Sequence, residues 1–525
     1  MVGIPENGIG GMTLSLWTKN KNKRMDSELL VDLGDALIHN HPVERKRKRI
    51  TGKYVIACTT FASLNHVLLG YDIGVMSGAI TFMQEDLKIT EVQQEVLVGI
   101  LSIVSILGSL IGGKTADLVG RKWTMALATL VFQIGVAIMA VAPSFQILMT
   151  GRLLCGVGIG LGGMIAPVYI AEISPSVGRG FLISFLEISI NVGILLGYVS
   201  NYMFSGLSVH INWRIMLAVG ILPSVFIGVA LFIVPESPRW LVMQNQVEEA
   251  RSVLLKTNEN EAEVEERLAE IQLAAGIGNT NKHKEKAVWH ELLMPSPSVR
   301  RMLVTGLGIH FFQQITGTDA TVYYSPEIFK DAGIKSNSNL LAATIAMGVA
   351  KTAFILVSTF LIDKLGRKPL LYVSTIGMTA CLSILAFSLA FLGKEQLVTA
   401  LAILCICGSV AFFSVGIGPV CGVVASEVFP LRLRAQAVAL GAVVNRMCSG
   451  FVSMSFLSLS RKITFGGTFF IFSALSALSV LFVHTIVPET KGKSLEQVEL
   501  LFQDQPKLQG RKMEIGDTEH LVQNA

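Results

Sequence analysis

Two charged residues stand where charge is costly. Asp72 sits in "LLGYDIGVMSGAI", residues 68–80, within an apolar stretch running from about 54 to 82. Arg152 sits in the similarly apolar "TGRLLCG". A carboxylate near a bilayer centre costs about 2.5–3.5 kcal/mol on insertion scales, and such acids usually mark ion or proton pathways. A nearby cation keeps a carboxylate charged, whereas burial away from one favours the protonated form. An acid that switches between these surroundings loads and releases a proton; one that does not is a static buried pair. A second polar group lies in "FFQQITGTDATVYYSPEIF": Gln313, Gln314, Asp319, Tyr323 and Tyr324. Amides both donate and accept, as a polyhydroxylated ligand requires. Isolated, such residues would only join helices by hydrogen bonds; five on one stretch point to a binding site.

The elements that must hold these groups are membrane helices. The chain has 525 residues, 51% hydrophobic and 15% charged, with mean hydropathy +0.57. Soluble chains carry nearer a quarter charged residues. Runs long enough to span a bilayer lie near 54–80, 94–116, 123–142, 146–171, 182–204, 213–234, 301–325, 340–362, 370–392, 397–424, 435–458 and 466–487. They are continuous, unlike the alternating ten-residue segments of a β-barrel, so the fold class is an all-α membrane protein. At 1.5 Å per residue, Asp72 lies about 27 Å up the first span and Arg152 roughly 10 Å down the fourth. Those depths match closely enough for an ion pair.

Lys and Arg set the orientation. "ERKRKRI" precedes the first span, and Arg121, Lys122, Arg179, Lys364, Arg367, Lys368, Arg432 and Arg434 fall in connections on the same side. Both termini are therefore expected in the cytoplasm, and the basic run is read as a topology signal rather than a nucleic-acid patch. The first 50 residues lack the apolar core and cleavage site of a secretory signal. All seven cysteines fall within predicted spans, which fits small buried residues rather than disulfides or a metal site.

The spans divide six and six around a charged segment at 235–300, giving expected units of 1–53 (amino-terminal segment), 54–234, 235–300 (helical linker), 301–487 and 488–525 (carboxy-terminal tail). The halves repeat. "ADLVGRK" (Asp117, Arg121) matches "IDKLGRKP" (Asp363, Arg367); "AEISPSVGRG" (Glu172, Arg179) matches "SEVFPLRLRA" (Glu427, Arg434); "VPESPRW" (Glu236, Arg239) matches "VPETKGKSLEQ". Matched features in one order at nearly constant offset indicate duplication, an architecture in which one half rocks against the other around a central site. Charges at facing helix ends could bridge the halves and then part, since an exposed bridge contributes only about 0–1 kcal/mol.

These motifs, with "PVYIAE" and "QQITGTD", resemble the sugar porter family of the major facilitator superfamily over residues 54 to 503. "GYVSN", "FPLRLRAQ" and "VNRMCSG" are similar to its plant polyol/monosaccharide proton symporters. The resemblance implies twelve helices in two six-helix halves and alternating access gated by the intracellular charges. It also implies proton coupling through Asp72 and Arg152, and sugar hydroxyls gripped by Gln313 and Gln314. Further ligands would be Glu187, Asp319, Tyr324 and Asn445. Glu187 and Asp319 replace the amides usual in the family, and Gly422 stands where a tryptophan commonly covers the sugar. Expected partners are a polyol or monosaccharide, protons and the lipid bilayer, with no cofactor, no metal and no nucleic acid. No oligomerisation device is visible, so a monomer is expected. The resemblance implies the plasma membrane, the vacuolar membrane being the alternative. A facilitative hexose or inositol carrier and a weakly transporting sugar sensor are the rival functions; an enzyme is not expected. "GIGLGG" at 158–163 fits a dinucleotide fingerprint only by letter, because no strand precedes it.

Overall fold

The computed structural model describes residues 53–174, 179–230, 232–258, 261–278, 290–392, 396–493, 497–498 and 501–502. The basic run at 44–50, most of both terminal segments and the side chains of Arg179 and Asp363 lie outside the described residues.

The first half contains α1 (Lys53–Leu87), α2 (Glu91–Val119), α3 (Arg121–Ala140), α4 (Phe145–Ile173), α5 (Arg179–Phe204), α6 (Val209–Val219) and α7 (Ile221–Ala230). Three shorter helices follow: α8 (Pro238–Met243), α9 (Val247–Thr257) and α10 (Glu261–Gly278). The second half contains α11 (Pro297–Ile315), α12 (Thr318–Tyr323), α13 (Ser325–Asp331), α14 (Asn337–Leu365), α15 (Arg367–Phe391), α16 (Gln396–Val415), α17 (Ile417–Val428) and α18 (Leu431–Thr485). Among the described residues, ten helical segments are long and apolar enough to cross a membrane. Twelve runs give ten segments for two reasons. α18 holds both the eleventh and twelfth spans, turning at Thr464 (φ 70°, ψ 160°). The seventh run is interrupted: α11 carries Arg300, Arg301, His310, Gln313 and Gln314, and ends before Gly317.

Local chemistry explains the boundaries. α2 starts with a capping box, Thr90 Oγ1 accepting from Gln93 N at 3.3 Å and Gln93 Oε1 accepting from Thr90 N at 2.9 Å. That satisfies two amides at the helix entrance. α2 and α3 join at Gly120 (φ 107°), and α14 and α15 join at Gly366 (φ 100°). A backbone with φ in this region excludes most side chains, so glycine is required at both matched turns. The seventh span breaks at Gly317 (φ 82°), as the Gly/Pro pattern predicts. The tenth likewise bends at Gly416, between α16 and α17.

α1 is central. It meets α5 along Gly70, Gly74, Gly193 and Gly197, where small residues let the backbones approach. Outward faces instead carry exposed Leu107, Leu110, Leu222, Phe226 and Phe360, as lipid contact demands. α4 packs on α2 and α3; α15 packs on α16 and α18. The halves meet where α2 lies against α18 and α5 against α14. All seven cysteines are free, and the glycines at 158–163 lie inside α4.

Candidate functional site

Three polar centres stand out in the two halves. The first is the Asp72–Arg152 pair. Arg152 Nη1 donates to both Asp72 oxygens at 2.7 Å, and the side chains are 2% and 0% exposed. Arg152 Nε also donates to Leu97 O at 2.8 Å, tying α1, α2 and α4 together. Arg152 Nη2 is buried without a hydrogen-bond partner among the described residues. An ion pair in this setting is held by its own attraction; protonating Asp72 would leave a buried guanidinium uncompensated.

The second centre is an amide ladder. Gln314 Nε2 donates to Asn445 Oδ1 at 3.2 Å, Asn445 Nδ2 to Gln313 Oε1 at 2.7 Å, and Gln313 Nε2 to Gly418 O at 3.0 Å. It joins α11, α18 and α17. Gln314 Oε1 is left as a buried acceptor without a partner among the described residues, open to a donating hydroxyl. One turn beyond Asn445, Ser449 Oγ donates to Asp319 Oδ2 at 2.6 Å and lies 3.4 Å from Ser102 Oγ of the first half. The break at Gly317 is what turns Asp319 toward this row. Its segment, α12, packs against both α1 and α18, so the helix bearing Asp319 touches the helix bearing Asp72. Glu187 is exposed on α5, within coulombic range of Lys351, Arg446 and Asp319. Tyr324 is not brought into the cluster. It is 1% exposed, donates its hydroxyl to Ser453 O at 2.8 Å and stacks on Phe456. Around Gly422, an added Cβ would meet nothing within 4 Å.

The third centre lies at the helix ends on the side of α8–α10, and it occurs twice. Arg121 reaches Glu172 with Nε at 3.0 Å and Nη2 at 3.2 Å, and Arg367 Nη2 reaches Glu427 at 2.9 Å. Each arginine also donates to the carbonyl five residues back, Ala116 or Ile362. Ser237 Oγ donates to Glu172, and Thr490 Oγ1 to Glu427 at 2.6 Å. Glu236 accepts from the amides of Arg121 and Lys122 at the start of α3, and Glu489 from those of Arg367 and Lys368 at the start of α15. Burial pushes the Glu236 carboxyl above its ordinary range despite these amides. Burial acts the same way on Glu489, but the amides of Lys491, Lys368 and Arg367 outweigh it and hold that carboxyl low.

The sequence led us to expect bridges between halves here; both arginine–glutamate pairs instead lie within one half. Asp117 joins Arg121 at 3.3 Å. Arg434 donates to Phe429 O, and Arg239 is exposed with no ion-pair partner among the described residues. The opposite end of the molecule is sealed. Glu95, 1% exposed, accepts from Ser458 N at 2.7 Å and from Ser458 Oγ, and Arg461 pairs with Glu91 at 2.8 Å. These contacts close the end opposite α8–α10.

Sequence reasoning missed Glu95, Lys351, Arg446 and Glu489. Lys351 carries the same signal as Asp72, one charge in an apolar run ("GVAKTAF"). Glu489 is the counterpart of Glu236 in the matched "VPES" and "VPET" segments, and that repeat was the signal for it. Replacing it tests its role. Glu489→Ala should leave the first amides of α15 without their acceptor, costing about 1–3 kcal/mol and lowering the thermal midpoint of the purified protein. An unchanged midpoint would refute the capping role.

The profile of the "Sugar (and other) transporter" family matches residues 58–502. The chain is 66% identical to "Probable polyol transporter 4" of Arabidopsis thaliana over 99% of each chain. It is 46% identical to "Polyol transporter 5" of the same plant over 86% of each, and 33% identical to "Glucose transporter GlcP" of Staphylococcus epidermidis over 85% of this chain and 96% of that one. Among solved structures, the proton:xylose symporter XylE with bound 6-bromo-6-deoxy-D-glucose superposes with TM-score 0.71 at 29% identity, covering 86% of this chain and 99% of that one. XylE from E. coli in a partially occluded inward-open conformation gives 0.72 at 28% identity, over 84% and 100%.

Proposed function

The chain belongs to the sugar transporter family of the major facilitator superfamily, in its polyol transporter branch, and from that premise we propose that it is a proton-coupled symporter of polyols and monosaccharides. As a multi-pass membrane transporter it is not an enzyme. The observation that carries the coupling is the Asp72–Arg152 pair, a desolvated acid whose one cation sits on another helix. Substrate arriving from outside would meet the ladder of Gln313, Gln314 and Asn445, with Glu187 and Asp319 accepting from further hydroxyls. Rearrangement of α12, which touches both centres, would change the surroundings of Asp72 as the site fills. The proton then leaves on the opposite side, where Arg121–Glu172 and Arg367–Glu427 rearrange as the gate. Both termini face the cytoplasm and the plasma membrane is the address. Gly422 supports a roomy site, suited to extended polyols as well as rings.

The test is radiolabelled uptake and substrate-evoked current in a transport-deficient cell, across sorbitol, mannitol, xylitol, myo-inositol, glucose and xylose at acidic and neutral outside pH. Saturable uptake with inward current that grows in acid is expected. Saturable uptake without current would identify a facilitative carrier and overturn the coupling.

A further inference from the structure

Lys351 has no place in the mechanism so far, yet it is the most anomalous charge in the second half. It lies mid-span on α14 and is 8% exposed. Among the described residues its ammonium makes no hydrogen bond and no ion pair within 4 Å; it lies over the Phe413 ring, 5.9 Å from Nζ to the ring centroid. A buried, unpartnered ammonium in a membrane is costly unless something compensates it. Two carboxylates lie within coulombic range of it, Glu187 of the first half and Asp319 of the second.

The packing shows why neither touches it. α14 and α5 run antiparallel across the interface between halves. Gly348 lies against Tyr198 and Leu195, and Thr352 Oγ1 donates to Asn191 O at 3.3 Å. In that register Lys351 is level with residue 192, five positions from Glu187, or about 7.5 Å along the axis. Asp319 is engaged on its other side by Ser449. Neither carboxylate pairs with the ammonium within 4 Å among the described residues, so each gap exceeds a direct contact. A hydroxyl accepts from the ammonium and donates to a carboxylate at once; a C–H surface does neither.

We propose that Lys351, Glu187 and Asp319 act as one charge-compensated set that determines specificity, the substrate seating by inserting hydroxyls between the ammonium and the two acids. Because Glu187 belongs to one half and Lys351 with Asp319 to the other, a seated polyol ties the halves together. This rests on the polyol reading above and assigns the role of its two unusual acids: they answer Lys351, and the three charges are meaningful only together. Arg446, in coulombic range of Glu187 and of His66, is the neighbouring cation that completes the balance.

The experiment measures binding of radiolabelled sorbitol and xylose to purified native protein and to Lys351→Met, Glu187→Gln and the double variant, with Lys351→Arg as a charge-retaining control. Removing one member strands an opposite charge, so each single variant should lose sorbitol affinity about tenfold to a hundredfold. The double variant should recover most of that loss, and Lys351→Arg, which keeps the charge, should lose less than Lys351→Met. Sorbitol, with more hydroxyls to bridge, should lose more than xylose in the singles. Losses that simply add in the double variant, or Lys351→Met binding as native does, would overturn the set while leaving the transport reading intact. Native protein that binds neither ligand would overturn the polyol reading and this inference with it. If Lys351→Met does not fold, Lys351→Gln takes its place in the same cycle, with the same recovery expected when it is combined with Glu187→Gln.

Discussion

Asp72→Asn should abolish the acid-stimulated, substrate-evoked current and reduce uptake from accumulation to equilibration. Asparagine preserves the size of the side chain and one acceptor for Arg152, but it cannot carry a proton. Arg152, 0% exposed and donating to both carboxylate oxygens, then keeps a charge with no counter-ion. Breaking a buried pair from one side costs about 3–5 kcal/mol, so lower surface expression is expected as well. The double variant Asp72→Asn with Arg152→Gln removes both charges and should restore expression without restoring coupling. Asp72→Glu, which retains a titratable group, should keep some current. A well-expressed Asp72→Asn protein whose current still rises in acid would sink the assignment.

Gly99→Phe should stop flux while leaving the substrate site intact. Gly99 faces α18 near the closed end, where even a Cβ would meet Gly450 O at 2.7 Å and the Met454 side chain. A phenyl ring cannot be absorbed there by side-chain adjustment, because backbone lies opposite. Overpacking costs about 1–3 kcal/mol in a core; at a contact that must form and separate each cycle, that cost falls on the closed state alone. The seal of Glu95 with Ser458 and of Glu91 with Arg461 would be held apart and the population shifted toward the conformation open at that end. Ser102→Cys, placed just inside the seal, reports this. A membrane-impermeant thiol reagent added outside should label it faster in Gly99→Phe than in the Gly99 background. Unchanged labelling with normal flux would mean that this end does not gate access.

Legibility differed between the three centres for physical reasons. The helix-end charge clusters were visible as motifs because glycine turns and helix-end charges are local: Gly120 and Gly366 must be glycine wherever that backbone occurs. What escaped was pairing, since "GRK" does not say whether Arg121 will reach Glu172 of its own half or an acid across the interface. The partner of Tyr324 was hidden for a related reason: its hydroxyl goes to Ser453 O, on a helix far away in sequence. Lys351 was passed over because a single lysine in an apolar run looks like any anchor until its depth and missing partner are known.

By itself the sequence determined the quantities that add along the chain. Apolar run length dictates spans, Gly and Pro dictate where spans break, and the repeated motifs dictate a duplicated bundle. It also announced that Asp72 needed a cation, since an isolated acid in lipid is too costly to keep. Only the tertiary structure decided which cation, which amides face one another, and which end of the molecule is closed. Those depend on rotation and register between helices far apart in sequence. A shift of one residue turns a helix by about 100°, and that is enough to move a side chain from the central site to the lipid.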